Sequence, residues 1–190
     1  MKKIFSLLLA FIFVFTLCAC GDSGEKKDKT KATLDSYAAN GEIPELEVKL
    51  GTAIETVKEL YPPDYEDADE TKVMLSEVEG NTAVCMVTLN ASYYYEKAHK
   101  DKGVSVIAVT GGNAFGLELC NTTTKSDVTA LLKAEYTEST ATAEQQYFLP
   151  GVSDNCKMLS ASFDKIRLDF FFVDDYLAAA TLTNTEYWTD

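Results

Sequence analysis

The chain has 190 residues and a formal net charge of -13, from 17 Lys and Arg against 30 Asp and Glu. So acidic a surface disfavours nucleic acid and anionic lipid headgroups, which leaves charge out of any membrane contact. One histidine excludes a histidine-rich metal site, and five cysteines are too few for the dense disulfide framework of many small exported domains.

Met1-Lys2-Lys3 is a short basic start, and residues 4–17 form a fourteen-residue run in which only Ser6 and Thr16 are polar. A membrane span needs about 20 residues. The run has instead the length of the apolar region of a secretory signal. It ends in Leu17-Cys18-Ala19-Cys20, which resembles the lipobox of bacterial lipoproteins: an aliphatic residue, two small ones, then cysteine. The resemblance implies cleavage before Cys20, a signal peptide at 1–19, and a diacylglyceryl group on the Cys20 thiol, with palmitate among the acyl chains. Two chains on one residue hold a protein firmly on a membrane. The expected location is therefore the outer face of the bacterial cell membrane. The alternative is a plain signal peptide with incidental cysteines; no second cysteine pair exists to complete a metal site. Loss of residues 1–19 removes Lys2 and Lys3 and takes the charge from -13 to -15.

Residues 20–36 are polar and charged after the lipidated cysteine and read as a solvated tether. Residues 37–190 then form one domain, long enough to bury roughly 70% of its unfolded surface. Residues 45–50 alternate and predict an extended segment. Thr52 and Glu55 have capping-box spacing, Ile54, Val57 and Leu60 give a helical apolar stripe, and Pro62-Pro63 end it. Residues 72–80 and 82–90 predict strands joined at Gly80-Asn81. Residues 104–110 predict another, ending in a hairpin turn at Gly111-Gly112-Asn113. Residues 115–120 are extended again. Thr124 and Asp127 can cap a second helix whose stripe is Val128, Leu131 and Leu132, running to about Tyr136. Strands follow at 145–151, 156–163 and 166–173, the last turning at Asp174-Asp175 into 176–183.

The order repeats. Laid against itself at an offset of 71, the chain matches Leu46 with Leu117, Thr52 with Thr123, Val57 with Val128, Leu60 with Leu131, Tyr65 with Tyr136 and Cys85 with Cys156. Fixed-period self-similarity marks a duplicated unit. The expected fold is α+β: two tandem repeats, 46–116 and 117–187, each a helix plus antiparallel β-strands, with the helices packed on one sheet face. With its G-x-x-x-x-x-V helix start, Gly51 to Val57, this order resembles the tandem repeats of the β-lactamase-inhibitor-protein family and of small outer-membrane-assembly lipoproteins. The second copy departs from that motif with Thr122. The resemblance implies the architecture and carries no binding residue.

Catalytic patterns are scarce. His99 sits among Lys97, Lys100, Asp101 and Lys102 and reads as an exposed turn, yet any Ser-His-Asp or Cys-His site would need it. No glycine-rich nucleotide loop of known spacing occurs. The acidic run Asp64, Glu66, Asp67, Asp69 and Glu70 is the candidate for calcium, set against a solvated loop; it lacks the glycine and distal glutamate of an EF-hand. Tyr93–Tyr95 and Phe170–Phe172 lie in predicted strands, so each run puts rings on both faces. One face is core; the other is either covered within the domain or exposed for contact. Tyr61, Tyr65, Tyr94 and Trp188 are the candidate binding residues. Cys85 and Cys156, a repeat apart, are expected as two buried thiols rather than one bridge.

These readings lead to a cell-surface lipoprotein with a non-catalytic, inhibitor-like protein-binding domain and no cofactor. Its expected partner is another envelope protein or a secreted protein. The alternatives are a solute-binding lipoprotein serving a transporter or sensor and, third, an enzyme.

Overall fold

The computed structural model describes residues 32–61, 74–77, 83–88, 90–119, 122–142 and 156–188; for 74–77 and 83–87 only the backbone is considered. The fold is α+β. Helix α1 (Leu34–Ala39) is followed by α2 (Ile54–Leu60) and then by strands β1 (Met74–Glu77), β2 (Ala83–Val87) and β3 (Ala91–Glu96). A 3₁₀ helix (Lys97–Lys102) leads into β4 (Val106–Val109) and a small hairpin, β5 (Asn113–Ala114) with β6 (Leu117–Glu118). Next come α3 (Lys125–Leu131), β7 (Tyr136–Thr140), β8 (Lys157–Phe163), β9 (Ile166–Val173) and β10 (Tyr176–Asn184). The long strands make one eight-stranded antiparallel sheet in the order β1-β2-β3-β4-β10-β9-β8-β7. The last strand thus pairs with both β9 and β4, at the middle of the sheet.

Register assigns the two sides, because residues directly opposite in an antiparallel pair share a face. One row runs Tyr93, Ile107, Leu182, Leu168, Ala161, Tyr136. The row beside it runs Ala91, Val109, Ala180, Phe170, Leu159, Glu138. We call this the helix side, after its contact with Tyr61 at the end of α2. Tyr61, at the end of α2, stacks on Tyr93 with ring centroids 5.9 Å apart, and Phe115 of the small hairpin meets Phe170 edge-on at 6.1 Å. Tyr93, Ile107, Leu182, Leu168, Phe170 and Leu159 are all at most 1% exposed and form the centre of the core. Burying one such side chain contributes roughly 1.5–3 kcal/mol.

The second helix starts as its sequence predicts. Thr124 accepts from the Asp127 backbone N–H, and the Asp127 carboxylate accepts from the Thr124 N–H at 2.8 Å. The first does not. Its N-cap is Ala53, with no side-chain cap, and Thr52 Oγ1 accepts instead from the Lys49 N–H at 3.1 Å. The cause is tertiary: Val104 N–H donates to the Thr52 carbonyl and Gly51 N–H to the Val104 carbonyl, so residues 51 and 52 are tied to the chain two residues ahead of β4. Leu60 and Leu131, expected in the apolar stripes, are 40% and 45% exposed. Val57 and Val128 are the buried members of the two helices at matching positions.

Other expected elements shift. Residues 45–50 make turns and bends, closed by Leu50 N–H on the Gly41 carbonyl, rather than a strand. The hairpin turn expected at 111–113 lies instead at Phe115-Gly116, both at positive φ (56° and 76°). The Glu45 carboxylate accepts from both of their N–H groups. Helix α3 stops at Leu131 rather than near Tyr136: the Asp35 carboxylate takes the Lys133 N–H at 3.1 Å, and pairing with β8 draws Tyr136 into β7. The end of the expected tether belongs to the fold, since α1 begins at Leu34, which is buried. The strand expected at 145–151 and the Gly80-Asn81 turn lie outside the described residues.

Candidate functional site

The other side of the sheet has a different composition. Its central row runs Ser92, Ala108, Thr181, Asp169, Ser160, Thr137, and the row beside it Tyr94, Val106, Thr183, Arg167, Ser162. We call this the far side. Strand β9 shows how one sequence builds both sides: Leu168, Phe170 and Phe172 alternate with Arg167, Asp169 and Phe171, so a period of two puts grease on one face and charge on the other.

Asp169 is the hub of the far side. It is 1% exposed. Arg167 Nε donates to its Oδ2 at 2.8 Å, Ser160 Oγ donates to Oδ1, and Thr181 Oγ1 donates to Oδ2 at 3.4 Å. A buried carboxylate is tolerated only when paired and hydrogen-bonded in this way. Asp169 in turn fixes the Arg167 guanidinium, whose side chain keeps 23% exposure. Over β7, β8 and β9 the accessible far side is hydroxyl-rich: Thr137, Ser139 and Ser162 are exposed and Ser160 is half-buried.

Two predicted binding residues meet here. Tyr94 on β3 and Trp188, just after β10, pack edge-to-face at 6.4 Å. Both are buried, at 5% and 8% exposure, so the domain covers these rings. Tyr61 is elsewhere, on the helix side against Tyr93. Tyr65, the acidic run Asp64, Glu66, Asp67, Asp69 and Glu70, and Cys20 lie outside the described residues. Among the described residues no group of three or more His, Cys, Asp or Glu could hold a metal, and no helix is long and apolar enough to cross a membrane.

All three tyrosines of 93–95 and all three phenylalanines of 170–172 are buried. Burial, and then the neighbouring Tyr61 hydroxyl, push the Tyr93 phenol far above its ordinary range, although among the described residues its hydroxyl makes no hydrogen bond of full geometry. His99 lies in the 3₁₀ helix, 3.7 Å from Glu96 and with its ring 5.8 Å from that of Tyr187. Cys156 is a free buried thiol, and burial pushes its pKa up. On the opposite surface, a cavity of about 540 Å³ is lined by Tyr37, Glu42, Ile43, Leu46, Glu47 and Lys49, among others.

The sequence reading missed Arg167, Asp169, Ser160 and Thr181. The signal was present in the alternation of "IRLDFFFV", where two charges fall on one face of a strand otherwise fit for the core. Comparison with known proteins finds no matching family model, no matching curated protein and no matching solved structure.

Proposed function

We propose that this chain is an exported lipoprotein, anchored through Cys20 at the outer face of the cell membrane. Its duplicated α+β domain binds another envelope or secreted protein through the far side of the sheet. The duplication is supported by internal correspondences. Helices α2 and α3 have bounds offset by 71 residues. In each half the residue before the helix N-cap accepts from a backbone N–H near the N-terminal end of the last strand: Thr52 from Val104, two residues ahead of β4, at 2.9 Å, and Thr123 from Leu177 of β10 at 2.8 Å. The sheet order reads β1 to β4 and then β10 back to β7, which supports two halves that each run a helix into a four-stranded meander.

The observation that carries the binding reading is Arg167, pinned by buried Asp169 in a hydroxyl-rich, partly exposed stretch of sheet. Arginine is enriched at the energetic centres of protein interfaces, and a guanidinium already fixed loses little freedom on binding. The test is cross-linking and mass spectrometry with the chain displayed on cells. One dominant protein captured by the wild type and lost with Arg167→Glu supports the reading; background proteins alone sink it. Globomycin tests the anchor: an unprocessed precursor supports lipidation at Cys20, and an unchanged mature mass removes it.

The second reading, a solute-binding lipoprotein, is favoured by the cavity beside Tyr37 and Glu47, whose size falls in the range of small-molecule sites. Native mass spectrometry of the purified chain showing a carried small molecule would favour it over the first.

A further inference from the structure

Strand β7 ends the sheet. It pairs with β8 on one side only, in unbroken register from Tyr136 opposite Ala161 to Thr140 opposite Lys157. All five of its residues are exposed. Ala141 N–H donates to the Cys156 carbonyl at 2.9 Å, which continues that register. Backbone groups alternate along an antiparallel strand, so Ala141, Ser139 and Thr137 face β8, while Tyr136, Glu138 and Thr140 turn their N–H and C=O groups outward. Among the described residues no hydrogen bond to those outward groups is found.

Edge strands are normally guarded by proline, by lysine, by a bulge or by a covering element. Among the described residues none of these guards stands on β7. Its sequence, Tyr-Thr-Glu-Ser-Thr, favours extended backbone. Its single charge, Glu138, is occupied by Lys125 Nζ at 2.8 Å. Beside it, on the helix side, lies a cavity of about 270 Å³. Its lining includes Thr140, Lys157, Lys125 and Glu138, together with Leu159 and Phe172, which are themselves buried.

We propose that β7 is a docking edge for an extended segment of a partner protein. That segment adds a ninth strand, sends one aliphatic side chain into the cavity over Leu159 and Phe172, and carries basic flanks. An unpaired strand edge matches only another strand, which sets the occupant's backbone. Charge selects between a second copy and a different protein. Two β7 strands paired about their centre put Glu138 directly against Glu138, and the chain's charge of -13 opposes self-association. Basic flanks gain from the same charge. The inference rests on the protein-binding reading above and adds a second contact, at the sheet's edge.

The test uses the full chain in detergent and a synthetic peptide, Lys-Thr-Val-Thr-Val-Thr-Lys. Its controls are the same peptide with alternate amides N-methylated and one with glutamate flanks. Amide hydrogen exchange is read by mass spectrometry over residues 136–142. The lysine peptide slows exchange there by about tenfold or more, the N-methylated peptide does nothing, and the glutamate peptide binds at least about tenfold more weakly. Glu138→Pro, which removes an outward N–H and leaves the ladder to β8 intact, abolishes the protection; Glu138→Gln keeps it. Unchanged exchange at millimolar peptide, or equal protection in Glu138→Pro, overturns the proposal. So does a dimer by sedimentation with residues 136–140 already protected, since a second copy then holds the edge. The two readings also separate in the cross-linking experiment: no captured partner defeats protein binding itself. A partner captured equally by wild type and Glu138→Pro defeats only the edge.

Discussion

Arg167 and Asp169 are two residues apart on β9, share one side of the sheet, and are joined by a 2.8 Å hydrogen bond to a carboxylate that is 1% exposed. Removing one partner of such a pair costs about 3–5 kcal/mol, because the other charge is left buried without it; replacing both by apolar residues is often neutral. Because Arg167 is partly exposed, we expect Arg167→Ala to fall at the low end, about 3 kcal/mol, and Arg167→Met with Asp169→Leu to recover most of the loss. Urea unfolding measures both. A cost below about 1 kcal/mol for Arg167→Ala would show that the carboxylate does not depend on the guanidinium.

Gly103 has φ 73° and ψ -153°, a region open only to glycine, and a Cβ there would collide with the Thr52 carbonyl. Gly51 also has positive φ, 81°, but a Cβ there meets nothing. Gly51→Ala should therefore cost about 1–2 kcal/mol, and Gly103→Ala clearly more, since it also breaks the join between α2 and β4. Thermal unfolding of the two variants side by side checks the order; equal losses would mean that Gly103 does not approach Thr52.

The Tyr93 hydroxyl is buried beside Tyr61 and, among the described residues, makes no hydrogen bond of full geometry; a buried polar group left wholly unpaired costs about 1–3 kcal/mol. Tyr93→Phe keeps the ring stacked on Tyr61 and removes the stranded group, so stability should hold or rise by about 1 kcal/mol. A loss of that size in urea would reveal a hydrogen bond at this position.

The Asp127 carboxyl is held below its ordinary range by the Thr124 hydroxyl and then by the Thr124 backbone N–H. A depressed carboxylate contributes stability above its unfolded pKa and loses it as pH falls through the folded one. The cap of α3 should therefore weaken only below the usual aspartate range. Asp127→Asn should flatten that part of the acid limb in a pH series of unfolding midpoints, and an unchanged slope would count against the cap. At neutral pH Thr124→Ala should cost about 1 kcal/mol.

Cys156 is buried, and desolvation raises its pKa above the ordinary 9.0. The folded state thus holds the thiol proton more tightly than the unfolded one. Its stabilising share is complete below about pH 9 and is lost as pH rises through the folded pKa. In native protein Cys156 should resist iodoacetamide at pH 8 and react fully in guanidinium, as read by peptide mapping. Rapid native labelling would place it at the surface.

How much of this was legible in the sequence depended on whether the determining contact was local. The cap of α3 was readable because Thr124 and Asp127 satisfy each other within one turn. Strands β8, β9 and β10 were readable because their alternation and the Asp174-Asp175 turn, with φ of 50° and 66°, are local as well. Thr52 and Glu55 offered the same cap spacing and failed, because Thr52 is held by Val104, far along the chain. Tyr136 left its predicted helix for the same kind of reason, a pairing with Ala161. In the candidate site, Tyr94 and Trp188 could be named but not paired, since only the fold brings the two together. Arg167 and Asp169 were hidden by their neighbours: a run ending in three phenylalanines reads as core, and its polar alternate positions pass unnoticed.

Strand β10 lies between β4 and β9, so the seam joining the two halves of the sheet is closed by the strand that comes last in chain order. A chain that emerges N-terminus first, from a ribosome or a secretion channel, presents β4 as a bare edge until β10 follows it out. Truncation before Tyr176 therefore yields a sticky fragment and not a half-sized domain.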